Sequence, residues 1–238
     1  GVLQNAFYSG RCDHFRFGDT YIGEDIAIHE LTHGIDRWEG SLAYQNQSGA
    51  IDESMADVLA SVITDDWQIG EGSGFGVIRD LRDPPANGDP DHIQTGVSGD
   101  GIGARPAVQN PTNANDFGSV HTNSGIPNKA AYLISEGGNH NGLQIEPLGN
   151  NRSLALFYYT LTSMDSNDTF QDLRDKAVNV ALSLQWVSSN DPGQFPWSFN
   201  TRHVCQGING YSSVGIGDPD TDCDGSPNNG PDGDGDGF

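Results

Sequence analysis

His29-Glu30-Leu31-Thr32-His33 and, after a break, Gly49-Ala50-Ile51-Asp52-Glu53-Ser54-Met55-Ala56-Asp57 decide how this chain must be organised. On a helix, residues four apart share a face, so His29 and His33 can reach one metal ion together. Glu30 lies one residue round from His29, near the ion but angled away from it, where a glutamate can hold a water instead of the metal. Glu53 offers a third ligand from a second helix. Two histidines and one carboxylate with a fourth position open to water describe a catalytic zinc site. Asp57, one helical turn after Glu53, is placed to orient His29, and Asp52 to orient His33.

The remaining chain supports a mainly helical domain. Glu24 and Asp25 open a helix running to about Trp38, with acids where the helix dipole favours them. Ser41 to Gln47 reads as strand and loop. Ala50 to Asp65 reads as a buried helix on the spacing Ile51, Met55, Val58, Leu59, Val62. Gly70 to Pro111 is dense in Gly, Pro and Asp and reads as a long loop-rich stretch. Helical patterning returns at about Ser124 to Glu136, Asn151 to Met164 and Thr169 to Val187, the last with Asn167 or Asp168 as its expected N-cap. Short strand-like pieces, Ala6-Phe7-Tyr8 and Phe15-Arg16-Phe17, stand at the front.

The chain has 238 residues, enough for one large domain or two small ones, and a formal net charge of -22. That charge argues against nucleic acid and anionic membranes as partners; a solvated acidic surface and calcium binding both remain compatible with it. No apolar run approaches the ~20 residues of a membrane-spanning helix, and no leader is visible. The three cysteines are Cys12, Cys205 and Cys223. Cys205 and Cys223 are placed to close a loop, which suits a secreted protein, and none has zinc-ligand spacing. His14, His92, His140 and His203 lack partner spacing and read as structural or surface residues.

The run from Glu24 to Leu59 resembles the thermolysin-like neutral metallopeptidases, the gluzincin group. Further blocks match in family order: Asn5-Ala6-Phe7, Gly88-Asp89-Pro90-Asp91-His92, His121-Thr122-Asn123-Ser124-Gly125 and Asn128-Lys129-Ala130-Ala131-Tyr132-Leu133. The resemblance implies an α+β, mainly α fold: a catalytic domain with the zinc-site helix and a C-terminal helical bundle, its N-terminal β-rich part largely missing. Residues 1–48 would be the remnant of the front part, 49–216 the helical part, and 217–238 an acidic tail. It implies Glu30 as general base, Tyr44 and His121 as oxyanion donors, and Asp116 as the residue orienting His121. Asn5, Ala6 and Arg79 match substrate contacts, with Arg82 as the rival to Arg79. Ile26 and Ile78 match the lining of the pocket for the residue after the scissile bond. Asp25, Asp66 and Glu71 match a calcium cluster, although Thr64 and Gln68 replace glutamates of the double-calcium members, so one ion is expected there.

These readings converge on a secreted, monomeric zinc endopeptidase acting on proteins and peptides, with bulky apolar preference after the scissile bond. A truncated non-catalytic remnant or calcium-dependent binding module is the alternative. Aspartates alternate at 218–224 and again at 232–236; the pattern fits calcium loops or an acidic linker, and both readings stay open.

Overall fold

The computed structural model describes residues 5–10, 13–18, 23–74, 76–94, 103–191 and 193–227. Cys12 and the second aspartate run at 232–236 therefore lie outside the described residues. A hairpin of β1 (Ala6–Ser9) and β2 (His14–Phe17), antiparallel with Ala6 opposite Phe17, leads to α1 (Glu24–Glu39) and α2 (Asn46–Thr64). Two small ribbons pair β3 (Gln68–Ile69) with β4 (Arg79–Asp80) and β5 (Gly138–His140) with β6 (Leu143–Ile145). Between and after them run α3 (Asp116–Asn123), α4 (Gly125–Glu136), α5 (Asn150–Leu161), α6 (Phe170–Asn190) and α7 (Thr201–Ser213). The fold is mainly helical, as the sequence predicts.

α2 is the axis of the molecule. Every residue from Ser48 to Val62 is buried, and α1, α3, α4, α5 and α6 all pack on it. A helix buried on all sides must carry small side chains wherever neighbours come close, and α2 supplies Gly49, Ala50, Ser54, Ala56, Ala60 and Ser61. A Cβ on Gly49 would stand 3.0 Å from the carbonyl carbon of Tyr44 and closer still to Val120. Around α2 the core is continuous, drawing in Ile51, Met55, Leu81, Ile134, Phe157, Phe170, Ile208 and Tyr211. Because α2 cannot rotate or slide in this packing, Glu53 and Asp57 are fixed in direction before any ligand arrives.

Three expectations are corrected. Ser41 to Gln47 forms no strand: the N–H of Ala43 bonds to Ser166 O, Ser48 Oγ donates to the carbonyls of Ala43 and Gln45, and α2 has begun by Asn46. With those groups taken, no edge is offered for sheet pairing. The cap of α6 is Thr169, one residue later than expected. Its Oγ1 accepts from the N–H of Asp172, whose carboxylate accepts the N–H of Thr169 in return. The stretch from Gly70 to Pro111 is loop-rich as expected, its described residues holding only β4 and a 3-10 turn at Pro84–Asn87 as regular elements. Finally, α7 is a helix the sequence reading leaves out. Its apolar stripe, Val204, Ile208 and Tyr211, is diluted by Gly207 and Gly210, and at Gly210 any Cβ would collide with Ile134 of α4. The glycine that weakens the helical signal is what lets α7 lie close to α4.

Candidate metal centre

α1 turns His29 and His33 toward α2, and α2 turns Glu53 back toward them. The two Nε2 atoms stand 3.1 Å apart, with Glu53 Oε2 3.5 Å from His29 Nε2 and Glu53 Oε1 3.6 Å from His33 Nε2. Ligand atoms bound tetrahedrally at about 2.0–2.2 Å lie roughly 3.3–3.6 Å from one another, so separations of this size, with one Glu53 oxygen toward each ring, suit a single zinc ion. On the far side of each ring, Nδ1 meets a carboxylate: His29 faces Asp57 Oδ1 and His33 faces Asp52 Oδ1, both at 2.9 Å. A carboxylate on Nδ1 keeps the proton there and leaves Nε2 its lone pair. Once a metal displaces the protons on Nε2, two lone pairs and a carboxylate would converge on it. Glu53 is 1% exposed, and its Oε2 is buried without a hydrogen-bond partner, with only Arg79 Nη2, 3.8 Å away, and the His29 ring near it. A buried carboxylate oxygen without a donor is costly unless a cation meets it. The residues present fit zinc.

The electrostatics of these groups run in one direction. Burial would raise Glu53, yet the neighbouring histidines hold its carboxyl well below the usual range. Burial would lower His33; Asp52, Glu53 and Glu30 outweigh it and bring the ring up to about 10. Asp57 is fully buried, and against that burial Arg79 and His29 hold it down at about 2. Each charge here is paired with its opposite, the condition under which buried charges survive.

Glu30 Oε2 accepts the N–H of Tyr8 at 2.7 Å, so the hairpin in front of α1 holds the carboxylate over the metal position. Sequence reasoning missed this contact because the donor is a backbone atom, which leaves no side-chain signature. Opposite stand the other site residues. Tyr44 donates its O–H to Glu53 Oε1 and lies 3.3 Å from His121 Nε2, whose Nδ1 is 2.5 Å from Asp116 Oδ1. Asp116, Phe117, Gly118 and Ser119 all have positive φ, a left-handed turn that folds the Asp116 carboxylate back onto both the ring and the N–H of His121. Burial and the surrounding carboxylates, Glu53 first, push the Tyr44 phenol upward, so it stays a donor.

Arg79 grips Asp57 with Nε at 2.6 Å and Nη2 at 2.7 Å, whereas Arg82 pairs with Asp80 on the surface. Asn128 Nδ2 also donates to Asp57 Oδ2, at 2.9 Å from 71 positions away, a contact no local pattern announces. The cleft over the centre has a volume of about 810 Å³ and is lined by Asn5, Ala6, Tyr8, Glu30, Tyr44 and His121, among others. A side recess of about 370 Å³ opens between Ile26, Ile69, Ile78 and Arg79, again beside Asn5 and Ala6. The residues matched to the substrate therefore border one continuous space around Glu30.

The calcium set behaves differently. Asp25 Oδ2 accepts the N–H of Gly70 at 2.5 Å, and Asp66 Oδ1 that of Gln68 at 3.1 Å; Glu71 is exposed. Partial burial together with Asp25 and Asp66 raises the Glu71 carboxyl. The three are neighbours that repel one another, and among the described residues their oxygens do not come within 4.8 Å of one another as the zinc ligands do. The other histidines are structural: His14 accepts from Arg16, His92 is buried above Gly215, His140 is 3.8 Å from Asp91, and His203 completes the capping box at Asn200.

The alpha-helical domain of the thermolysin metallopeptidases matches residues 40–199. Bacillolysin of Brevibacillus brevis is 35% identical over 226 residues, covering 89% of this chain and 38% of that protein. A zinc metalloproteinase of Renibacterium salmoninarum is 37% identical over 224 residues, with the same two shares. Thermolysin of Alicyclobacillus acidocaldarius subsp. acidocaldarius is 34% identical over 218 residues, 84% of this chain and 37% of that one. The chain thus spans a little over a third of the length of these relatives. Among solved structures, the precursor of protealysin, a metalloproteinase from Serratia proteamaculans, superposes with a TM-score of 0.57. That match has 22% identity over 90% of this chain and 65% of that one, and it speaks to the fold alone.

Proposed function

This chain belongs to the thermolysin metallopeptidase family, and from that premise we propose that it is a secreted, monomeric zinc endopeptidase cleaving proteins and peptides before bulky apolar residues. Glu53 carries the reading: a carboxylate buried beside two Nε2 lone pairs, one of its oxygens unbonded, is arranged for a cation. In this reading residues 1–48 are the remnant of the front part carrying α1, 49–216 the helical part, and 217–238 a tail whose start is fastened to α7 by the Cys205–Cys223 disulfide. Asp25, Asp66 and Glu71 would have to draw their carboxylates closer together to share a structural calcium, which would then relieve their repulsion.

His29 and His33, through Nε2, and Glu53 would hold the zinc. Bound there, zinc supplies a polarised carbonyl and a water more acidic than bulk water. Glu30, one oxygen anchored by Tyr8, takes the proton of the attacking water with the other and delivers it to the leaving amine. Tyr44 turns its O–H, and His121 its Nε2–H, toward the oxyanion. With Nδ1 held by Asp116, the His121 ring is turned so that Nε2 faces Tyr44 and the oxyanion position. Arg79 keeps Nη1 free for the carbonyl of the residue after the scissile bond, while Asn5 and Ala6 hold the main chain. Ile26 and Ile78 take the apolar side chain into the recess.

The test is hydrolysis of an internally quenched peptide with a central Gly-Leu bond, with and without a zinc chelator, beside Glu30→Gln. Chelator-sensitive cleavage that disappears in Glu30→Gln supports the endopeptidase. A folded chain that binds one zinc and cleaves nothing overturns it in favour of a non-catalytic remnant.

A further inference from the structure

Away from the cleft, the chain builds a second convergence of ligand atoms where its C-terminal loop folds back on the helices. A Cys205–Cys223 disulfide fastens this loop to α7. Asn209 of α7 clamps Asp220 at both backbone positions, donating to its carbonyl at 2.7 Å and accepting from its N–H at 2.8 Å. From α6, Arg174 donates to Asp218 O at 2.6 Å. With its backbone held on both sides, Asp220 has little freedom to turn its carboxylate toward water.

That carboxylate is fully buried. Oδ2 accepts the N–H of Gly225 at 3.0 Å, but Oδ1 is buried and meets no donor. One oxygen each from Asp220, Asp222 and Asp224 lies within 4.8 Å of the other two. A fixed, buried carboxylate facing two more carboxylates is destabilising by itself, and it becomes favourable once a cation sits between them.

The chemistry of the donors selects the ion. All three are hard carboxylate oxygens, with no histidine or free thiolate among them; Cys223 is committed to the disulfide. Calcium bonds of 2.3–2.6 Å allow oxygens around one ion to stand up to about 5 Å apart, and the three carboxylates lie within 4.8 Å of one another. Asp222 and Asp224 are exposed, so the ion can enter from solvent and complete its coordination with water.

We propose that Asp220, Asp222 and Asp224 form a calcium site that locks the C-terminal loop onto α6 and α7, independent of the zinc centre. The full chain, freed of divalent ions and then titrated with calcium chloride, is compared by calorimetry with an Asp222→Asn/Asp224→Asn double variant. Both substitutions are on the surface, and circular dichroism checks that the fold is kept. A second measurement follows the thermal midpoint with calcium. The parent is expected to bind one calcium equivalent more than the double variant, with Kd of about 0.1–1 mM, the range of extracellular modules. At a hundredfold excess over Kd its midpoint should rise by about 5 °C or more beyond that of the double variant. Equal stoichiometry and equal calcium-induced shifts in the two proteins would overturn the site. Magnesium binding the parent as tightly as calcium would overturn the assignment of the ion.

Discussion

The two sides of the cleft are built on opposite principles. On the ligand side, His29, Glu53 and Asp57 are buried, and each ring or carboxylate is braced by another group: Asp57 by Arg79 and Asn128, His33 by Asp52. On the donor side, Tyr44 and His121 stay open to solvent, the His121 side chain 47% exposed, and their support comes from Asp116 and a left-handed turn. Ligands must be aimed before an ion arrives, so they are worth the cost of burial and bracing. Oxyanion donors must meet an atom of the substrate, so they cannot be sealed off.

Glu30 sits where the two sides meet, and replacing it should have the largest effect. Glu30→Gln is expected to lower kcat by roughly 10³-fold or more, since it removes the proton acceptor. Bound zinc, measured by atomic absorption, should stay at the parent level; loss of zinc would make Glu30 part of the ligand side. Next comes the donor side. Tyr44→Phe should reduce kcat by about 10²-fold through loss of one oxyanion donor, with KM and zinc content little changed in steady-state assays. A comparable loss of zinc affinity would erase the distinction between the sides.

Asp57→Asn tests the bracing. It should weaken zinc about 10- to 100-fold in competition with a chromophoric chelator, because the carboxylate facing His29 Nδ1 is neutralised. It also frees Arg79, so KM should rise as well. An unchanged zinc affinity would show that the packing of α1 on α2 suffices to aim the ring.

The smallest effect concerns Asp89, behind the Arg79–Asp57 pair. Burial, with Asp57 and Asp116, raises its carboxyl to about 6 against the pull of Arg79 and His121. A carboxyl raised on folding contributes stability that is fully present below the unfolded pKa near 4 and is lost as pH climbs through about 6. Asp89→Asn should therefore raise the thermal midpoint by about 2 °C at pH 7 and leave it unchanged at pH 4 in differential scanning calorimetry. An equal shift at both values would assign the effect to packing.

Much of the ligand side was legible in the chain. His29 and His33 are four apart on one helix, and Glu53 and Asp57 are four apart on another, so helical geometry alone gives each pair a shared face. Tyr44, Asp116 and His121 rested on the family resemblance, because their roles depend on how distant segments meet. The anchor from Tyr8 to Glu30 and that from Asn128 to Asp57 were not legible at all: one is a backbone donor, and the other spans 71 positions. α7 was missed because Gly207 and Gly210 thin its apolar stripe, and the reason for Gly210 lies in Ile134, on another helix.

By itself, then, the sequence determined which candidate ligands share a helical face and the two helices that carry them, since both follow from local periodicity. Only the tertiary structure decided that Glu53 would be buried with an oxygen left over, that a left-handed turn would bring Asp116 onto His121, and that the disulfide loop would trap Asp220 among like charges. Each of these depends on which surfaces exclude water and which distant atoms are held together, and packing sets both.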